Sequence, residues 1–158
     1  MENNDVLRRI RYIFDYGDDK MISIFDHMEF EISRTIISAW LKKDDDPEMI
    51  EMSDVDLAIF LDGLIIEKRG RRDGPLPEPE TELNNNIILR KLKIALDFKT
   101  DQMLHMYGMA GKRISPHELS AFLRNPKQKQ YRHCNDQYLR QFLTGLKKNF
   151  RKDSFSGE

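Results

Sequence analysis

FLDGL at residues 60–64 returns as FLTGL at 142–146, and the offset of 82 residues between the two strings organises the whole chain. Slid by that interval, residues 3–69 lie on residues 85–151 without a gap, and nineteen positions match identically. Among them are Asn3/Asn85, Asn4/Asn86, Arg8/Arg90, Asp15/Asp97, Asp19/Asp101, Ser33/Ser115, Asp54/Asp136 and Gly63/Gly145. A register held without insertion means one structural unit encoded twice. The strings themselves belong to a helix: Leu57, Phe60, Leu61 and Leu64, and Leu139, Phe142, Leu143 and Leu146, recur at the spacing of one helical face. A glycine inside each stripe costs about 1 kcal/mol relative to alanine. Its presence in both copies predicts close approach of another helix, or a kink.

Working outward, each copy reads as four helices. The first runs from about Asn4 to Tyr16 on Val6, Leu7, Ile10, Ile13 and Phe14, repeated by Ile88, Leu89, Leu92, Ala95 and Leu96. Asn3 and Asn85 are expected to cap these starts. The second spans roughly residues 19–28 and 101–110, entered through Asp18 and Thr100 as caps. The third opens most clearly in the second copy. There Ser115, Pro116 and Glu118 form a capping box with proline at the first helical position, where its missing amide hydrogen does no harm. Trp40 and Phe122 then fall on the inward face with Ile37 and Leu119, which predicts that both rings are buried. A charged loop follows, KKDDDPEMIEM in one copy and NPKQKQYRHC in the other, and Pro47 and Pro126 oppose a continuous helix. The fourth helix starts at Ser53 or Asn135.

The expected organisation is an acidic helical module over 1–70, a Pro-rich linker over 71–83, a basic helical module over 84–152 and a frayed tail over 153–158. Pro75, Pro77 and Pro79 favour an extended, semi-rigid spacer. Modules of this size sit near the lower limit for an independent core. The fold class is all-α: two tandem homologous four-helix modules with helix-turn-helix-like centres, related by a pseudo-twofold.

Charge separates the copies. The chain's formal net charge is −1. Residues 1–80 carry 11 Lys and Arg against 20 Asp and Glu, a balance of −9, and residues 81–158 carry 15 against 7, a balance of +8. Either the two halves answer each other's charge, within one chain or in a homodimer, or the basic half meets an acidic partner such as nucleic acid. Lys112, Arg113, Arg124, Lys127, Lys129, Arg132, Lys147 and Lys148, interleaved with Tyr131 and His133, are the candidate nucleic-acid-binding residues. They suit backbone phosphate. The outward residues of the third helix in this copy, Pro116, His117, Glu118 and Ser120, are poor base readers, and its turn is about two residues longer than in the common bacterial helix-turn-helix. The competing reading is a protein-interaction adaptor whose basic patch faces Asp44, Asp45, Asp46, Glu48 and Glu51.

Other chemistry finds little support. His27, His105, His117 and His133 occupy no HxxxH or HExxH spacing, so no metal site or other cofactor is expected. Lone Cys134 cannot form an internal disulfide, and beside His133 it reads as a buried or idle thiol. No Walker loop, GxGxxG or GxSxG occurs, which predicts a non-enzymatic protein with no catalytic residues. No apolar run approaches the ~20 residues needed to span a bilayer, and MENNDVLRR lacks the apolar core of a signal peptide, so a cytoplasmic protein without membrane contact is expected.

With NNDVLRRIRYIFD, ISRTIISAWLKKDDDP and LAIFLDGLIIEKRG read, the chain resembles the YehS-like family of small bacterial proteins of unknown function, over essentially its whole length. The most specific strings are AWLKKDDDP at 39–47, with its echo AFLRNPKQK at 121–129, and the FLDGL and FLTGL pair. The loop at 125–131 departs from the first copy, replacing acidic residues with NPKQKQY. The resemblance implies the duplicated architecture and a bacterial, cytoplasmic setting. It brings no activity, cofactor or catalytic residue.

Overall fold

The computed structural model describes residues 1–151; the tail expected to fray, 153–158, lies outside the described residues. Every regular element among the described residues is a helix. In chain order they are α1 (Asn3–Phe14), α2 (Asp18–Asp26), α3 (Arg34–Leu41), α4 (Asp54–Arg69), α5 (Asn85–Leu96), α6 (Thr100–Met109), α7 (Pro116–Leu123) and α8 (Asp136–Phe150). Each helix of the second set begins 82 residues after its counterpart. The fold is all-α, and it divides into two compact units between Leu83 and Asn84. Residues 70–84 hold no helix or strand, and the amide of Leu83 donates to Asp54 Oδ2 at 2.9 Å, so this segment is tied back to the start of α4.

In each unit the long fourth helix is the spine. Phe60 and Leu64 of α4 and Phe142 and Leu146 of α8 are buried at matching depth. Gly63 and Gly145 show why side chains are absent there. A Cβ on Gly63 would run into the carbonyl of Ile24 in α2, and one on Gly145 into the carbonyl of Met106 in α6. The close helix approach, not a kink, is what these glycines permit. Ile24 and Met106 are themselves one repeat apart, so the same crossing is built twice. Rings fill the space beside it: Phe25 lies 5.8 Å from Trp40 and 5.5 Å from Phe60, and Tyr107 lies 5.6 Å from Phe142. Trp40 and Phe122 are buried as their spacing predicts.

The helix starts and stops correct several local expectations. Asn3 and Asn85 are not caps; they are the first residues of α1 and α5, whose caps are Glu2 and Asn84. Asp18 and Thr100 likewise lie inside α2 and α6, behind Gly17 and Lys99. Ser33, Ser53, Ser115 and Asn135 do cap, each accepting from the amide three residues on, and Ser115 and Glu118 complete the reciprocal pair. α1 ends at Phe14, two residues before the expected Tyr16, and α5 at Leu96; the caps that follow, Asp15 and Asp97, take the left-handed conformation with φ of 55° and 54°. Tyr16 and Phe98 then donate back to the carbonyls of Arg11 and Lys93, closing the helix by the pattern usual after a left-handed residue. Aspartate tolerates that conformation better than most residues, which is a backbone reason for its presence in both copies.

Candidate functional site

Two asparagines per unit hold the loop that carries the charges. Asn4 Nδ2 donates to the carbonyls of Trp40 at 2.9 Å and Ile50 at 2.8 Å, while its Oδ1 accepts from the amide of Met52 at 2.9 Å. Asn86 repeats this on Phe122 at 3.0 Å, Arg132 at 2.8 Å and Cys134 at 3.0 Å. One residue earlier, Asn3 donates to Met52 O and Asp54 Oδ1, and Asn85 to Cys134 O and Asp136 Oδ1. Buried amides used on every side fix the loop without any charge. Both loops also share two turns: Asp46 N to Lys43 O and Met49 N to Asp46 O in one, Gln128 N to Asn125 O and Tyr131 N to Gln128 O in the other. These backbone bonds fall at corresponding positions of the two loops. What differs is the side chains.

In the first unit two of the loop's carboxylates are paired with nearby cations. Arg8 donates to Lys42 O at 2.7 Å and to Asp44 Oδ1 at 3.2 Å, with Asp5 at 4.0 Å, and Lys42 reaches Glu48 at 3.0 Å. Arg34 is similarly bound to Asp18 and Asp19. In the second unit the eight predicted site residues meet no carboxylate: among the described residues none of Lys112, Arg113, Arg124, Lys127, Lys129, Arg132, Lys147 or Lys148 forms an ion pair. Arg113, Lys127, Lys129, Arg132, Lys147 and Lys148 are exposed.

The single stripe drawn from sequence separates into two groups. Lys112 stands 5.1 Å above the ring of Tyr138, near the beginning of α8, so the α6–α7 turn with Lys112 and Arg113 lies at the same end of that helix as the 124–134 loop. Lys147 and Lys148 occupy its last turn. At 1.5 Å per residue they sit about 17 Å along the axis from Asp136. Lys112 is half-buried against its aromatic partner, which commits part of its charge. Arg124 is half-buried too, with Nε out of solvent and without a hydrogen-bond partner.

Arg90 is a further unpaired cation of this unit that sequence reasoning missed as a site residue. The signal was present: Arg90 repeats Arg8, but the carboxylates around Arg8 have no counterpart. Asp5, Asp44 and Glu48 become Ile87, Pro126 and Gln130. Arg90 is exposed and without an ion pair among the described residues.

Cys134 is fully buried, and burial first, then the charge of Asp136, pushes its thiol up to about 12. A thiol so reluctant to ionise is a core residue, not a nucleophile. Among the described residues no group of three His, Cys, Asp or Glu side chains is placed to hold a metal ion, and no helix is long and apolar enough to cross a membrane.

The comparisons with known proteins agree on ancestry and are silent on chemistry. The chain is 41% identical over 147 residues to the uncharacterized protein YehS of Escherichia coli (strain K12), an overlap covering 92% of this chain and 94% of that relative. No solved structure matches. A family model described as "Protein of unknown function (DUF1456)" matches twice, at residues 3–70 and 85–152, the same two segments that the 82-residue period superposes. The chain therefore belongs to this family of proteins of unknown function, with the family's module present in two copies.

Proposed function

We propose that this is a non-enzymatic binding protein whose second module contacts the phosphate backbone of RNA or DNA. One observation carries the reading: on the same loop backbone, the first unit supplies carboxylates for its cations and the second leaves its cations unpaired. Unpaired, exposed Lys and Arg attract polyphosphate and release its counterions on binding. The two groups at opposite ends of α8 lie about 17 Å apart along its axis, a span that several successive backbone phosphates can bridge. Base reading is not part of the proposal. The outward residues of α7 include Pro116, His117 and Ser120, and Glu118 is spent on the cap. The adaptor reading loses two of its five carboxylates to the same comparison, because Asp44 and Glu48 are already engaged inside their own unit.

The test is a titration of the full chain with labelled single-stranded and duplex oligonucleotides at several salt concentrations. Affinity should fall with log salt at a slope of about −0.7 to −0.9 per phosphate contact, and replacing Lys127, Lys129 and Arg132 by Gln should flatten that slope by about 2 to 3. Scrambled sequences should bind alike. Absence of binding at low salt overturns the reading, and a partner protein recovered through the same residues would put the adaptor in its place.

A further inference from the structure

The first unit shows what a filled version of the second unit's loop looks like. At the end of α3, Arg8 and Lys42 hold the carboxylates of Asp44 and Glu48. The repeat carries both cations over, as Arg90 and Arg124, onto a loop fastened by the same asparagine and the same turns. It does not carry over the anions, since Pro126 and Gln130 stand where Asp44 and Glu48 stood. Asn86 and Arg90 are one helical turn apart on α5, and Asn86 is bonded to Phe122 O at the end of α7, two residues before Arg124. By the repeat, Arg90 holds the position from which Arg8 reaches Lys42 O in the first unit. A guanidinium with a buried Nε and no acceptor carries a desolvation cost that an incoming anion would relieve.

We propose that Arg90 and Arg124 form an anion subsite in the second module, which takes one phosphate group in the position that the first module fills with its own loop carboxylates. The subsite rests on the phosphate reading above and narrows it to one contact: in the complex its occupant is a backbone phosphodiester. The first module is the same site closed by an internal anion. The duplication has thus produced one copy with this position closed and one with it open, from a shared scaffold.

Pro126→Asp tests this by returning the residue that the first copy uses. Arg90→Gln, at an exposed position with no structural bond to lose, removes a cation without adding a charge. Thr35→Glu places the same charge change at an exposed position of α3 in the first unit. Full-length protein is titrated with an oligonucleotide and, separately, with inorganic phosphate while the arginine Nε–Hε NMR signals are followed. Pro126→Asp and Arg90→Gln should each weaken oligonucleotide binding about tenfold, as expected for one charge-assisted contact, with Thr35→Glu within about twofold of wild type. Phosphate should shift the Arg90 and Arg124 signals of wild type and leave them unmoved in Pro126→Asp. Equal weakening by Pro126→Asp and Thr35→Glu, or wild-type binding by Arg90→Gln, overturns the subsite while the broader nucleic-acid reading stands. Phosphate shifts in a protein that ignores every oligonucleotide uphold the subsite and overturn the nucleic-acid reading instead. No shift and no binding overturn both.

Discussion

Asn86 of α5 donates to the carbonyl of Arg132 at 2.8 Å across 46 residues of chain, and Asn4 donates to Ile50 at the same distance in the other unit. The bond couples fold to function in the second unit, since the loop it fixes is the loop that carries the unpaired cations. Asn86→Ala strands two carbonyls and the amide of Cys134. Each buried group left unsatisfied costs roughly 1–3 kcal/mol, so chemical denaturation should show a loss of at least about 2 kcal/mol, and the amides of 125–133 should lose hydrogen-exchange protection. A loop that stays protected in the variant would mean that the asparagine is not its fastening.

Gly145→Ala should destabilise by about 1–3 kcal/mol, the usual range for overpacking a helix crossing. The added methyl meets the backbone of Met106, which cannot rotate aside as a side chain would. Gly63→Ala should behave alike against Ile24. Higher helix propensity alone would make both variants more stable, so the sign of the shift in unfolding midpoint decides.

Tyr107→Phe should raise stability by about 1 kcal/mol. The hydroxyl of Tyr107 is buried without a hydrogen-bond partner among the described residues, and burial pushes its ionisation well above the usual tyrosine value. The first unit places Phe25 at this position, against Phe60 as Tyr107 lies against Phe142. Removing an oxygen that makes no bond returns its desolvation cost and leaves the ring contacts with Phe142 in place. A lowered denaturation midpoint with an unchanged m-value would show that the hydroxyl has a bound water.

Acid should reveal the His27–Glu67–Lys20 cluster of the first unit. The hydrogen bond from His27 at 2.9 Å, and next Lys20 at 3.0 Å, hold the Glu67 carboxyl below the ordinary glutamate value despite its partial burial. Its folded pKa thus lies under its unfolded one, so the stability it contributes is complete above about pH 4.5 and is lost as pH falls through the folded value. Glu67→Gln should be less stable than wild type near pH 6, and the gap should close in acid. Denaturation midpoints at a series of pH values measure it, and a gap independent of pH would remove the carboxylate from the explanation.

The features legible in the sequence are those that depend on a short window or on comparing the chain with itself. The 82-residue period, the apolar stripes, the Ser115 capping box and the paired glycines all led to structure that is present, because helix periodicity and capping are local and a kept glycine inside a stripe signals a close neighbour. Asparagine and aspartate were harder. Asn3 and Asn85 have the chemistry of caps, yet their amides reach partners 49 and 51 residues away. Asp15 and Asp97 recur at one position of the repeat, and their left-handed backbone is what ends the helix. A side chain's type states what it is able to bond, and only the path of the chain states what lies within reach.

The same distinction governs the candidate site. From sequence alone come the duplicated all-helical module, the opposite charge of its two copies and the replacement of an acidic loop by a basic one, for these are matters of composition and register. Tertiary structure alone decided that the two loops share one backbone, that the cations divide between the two ends of α8, and that Arg90 stands exposed without the carboxylates Arg8 enjoys. Ion pairing falls steeply with distance and burial, and both are set by helices crossing far apart in sequence.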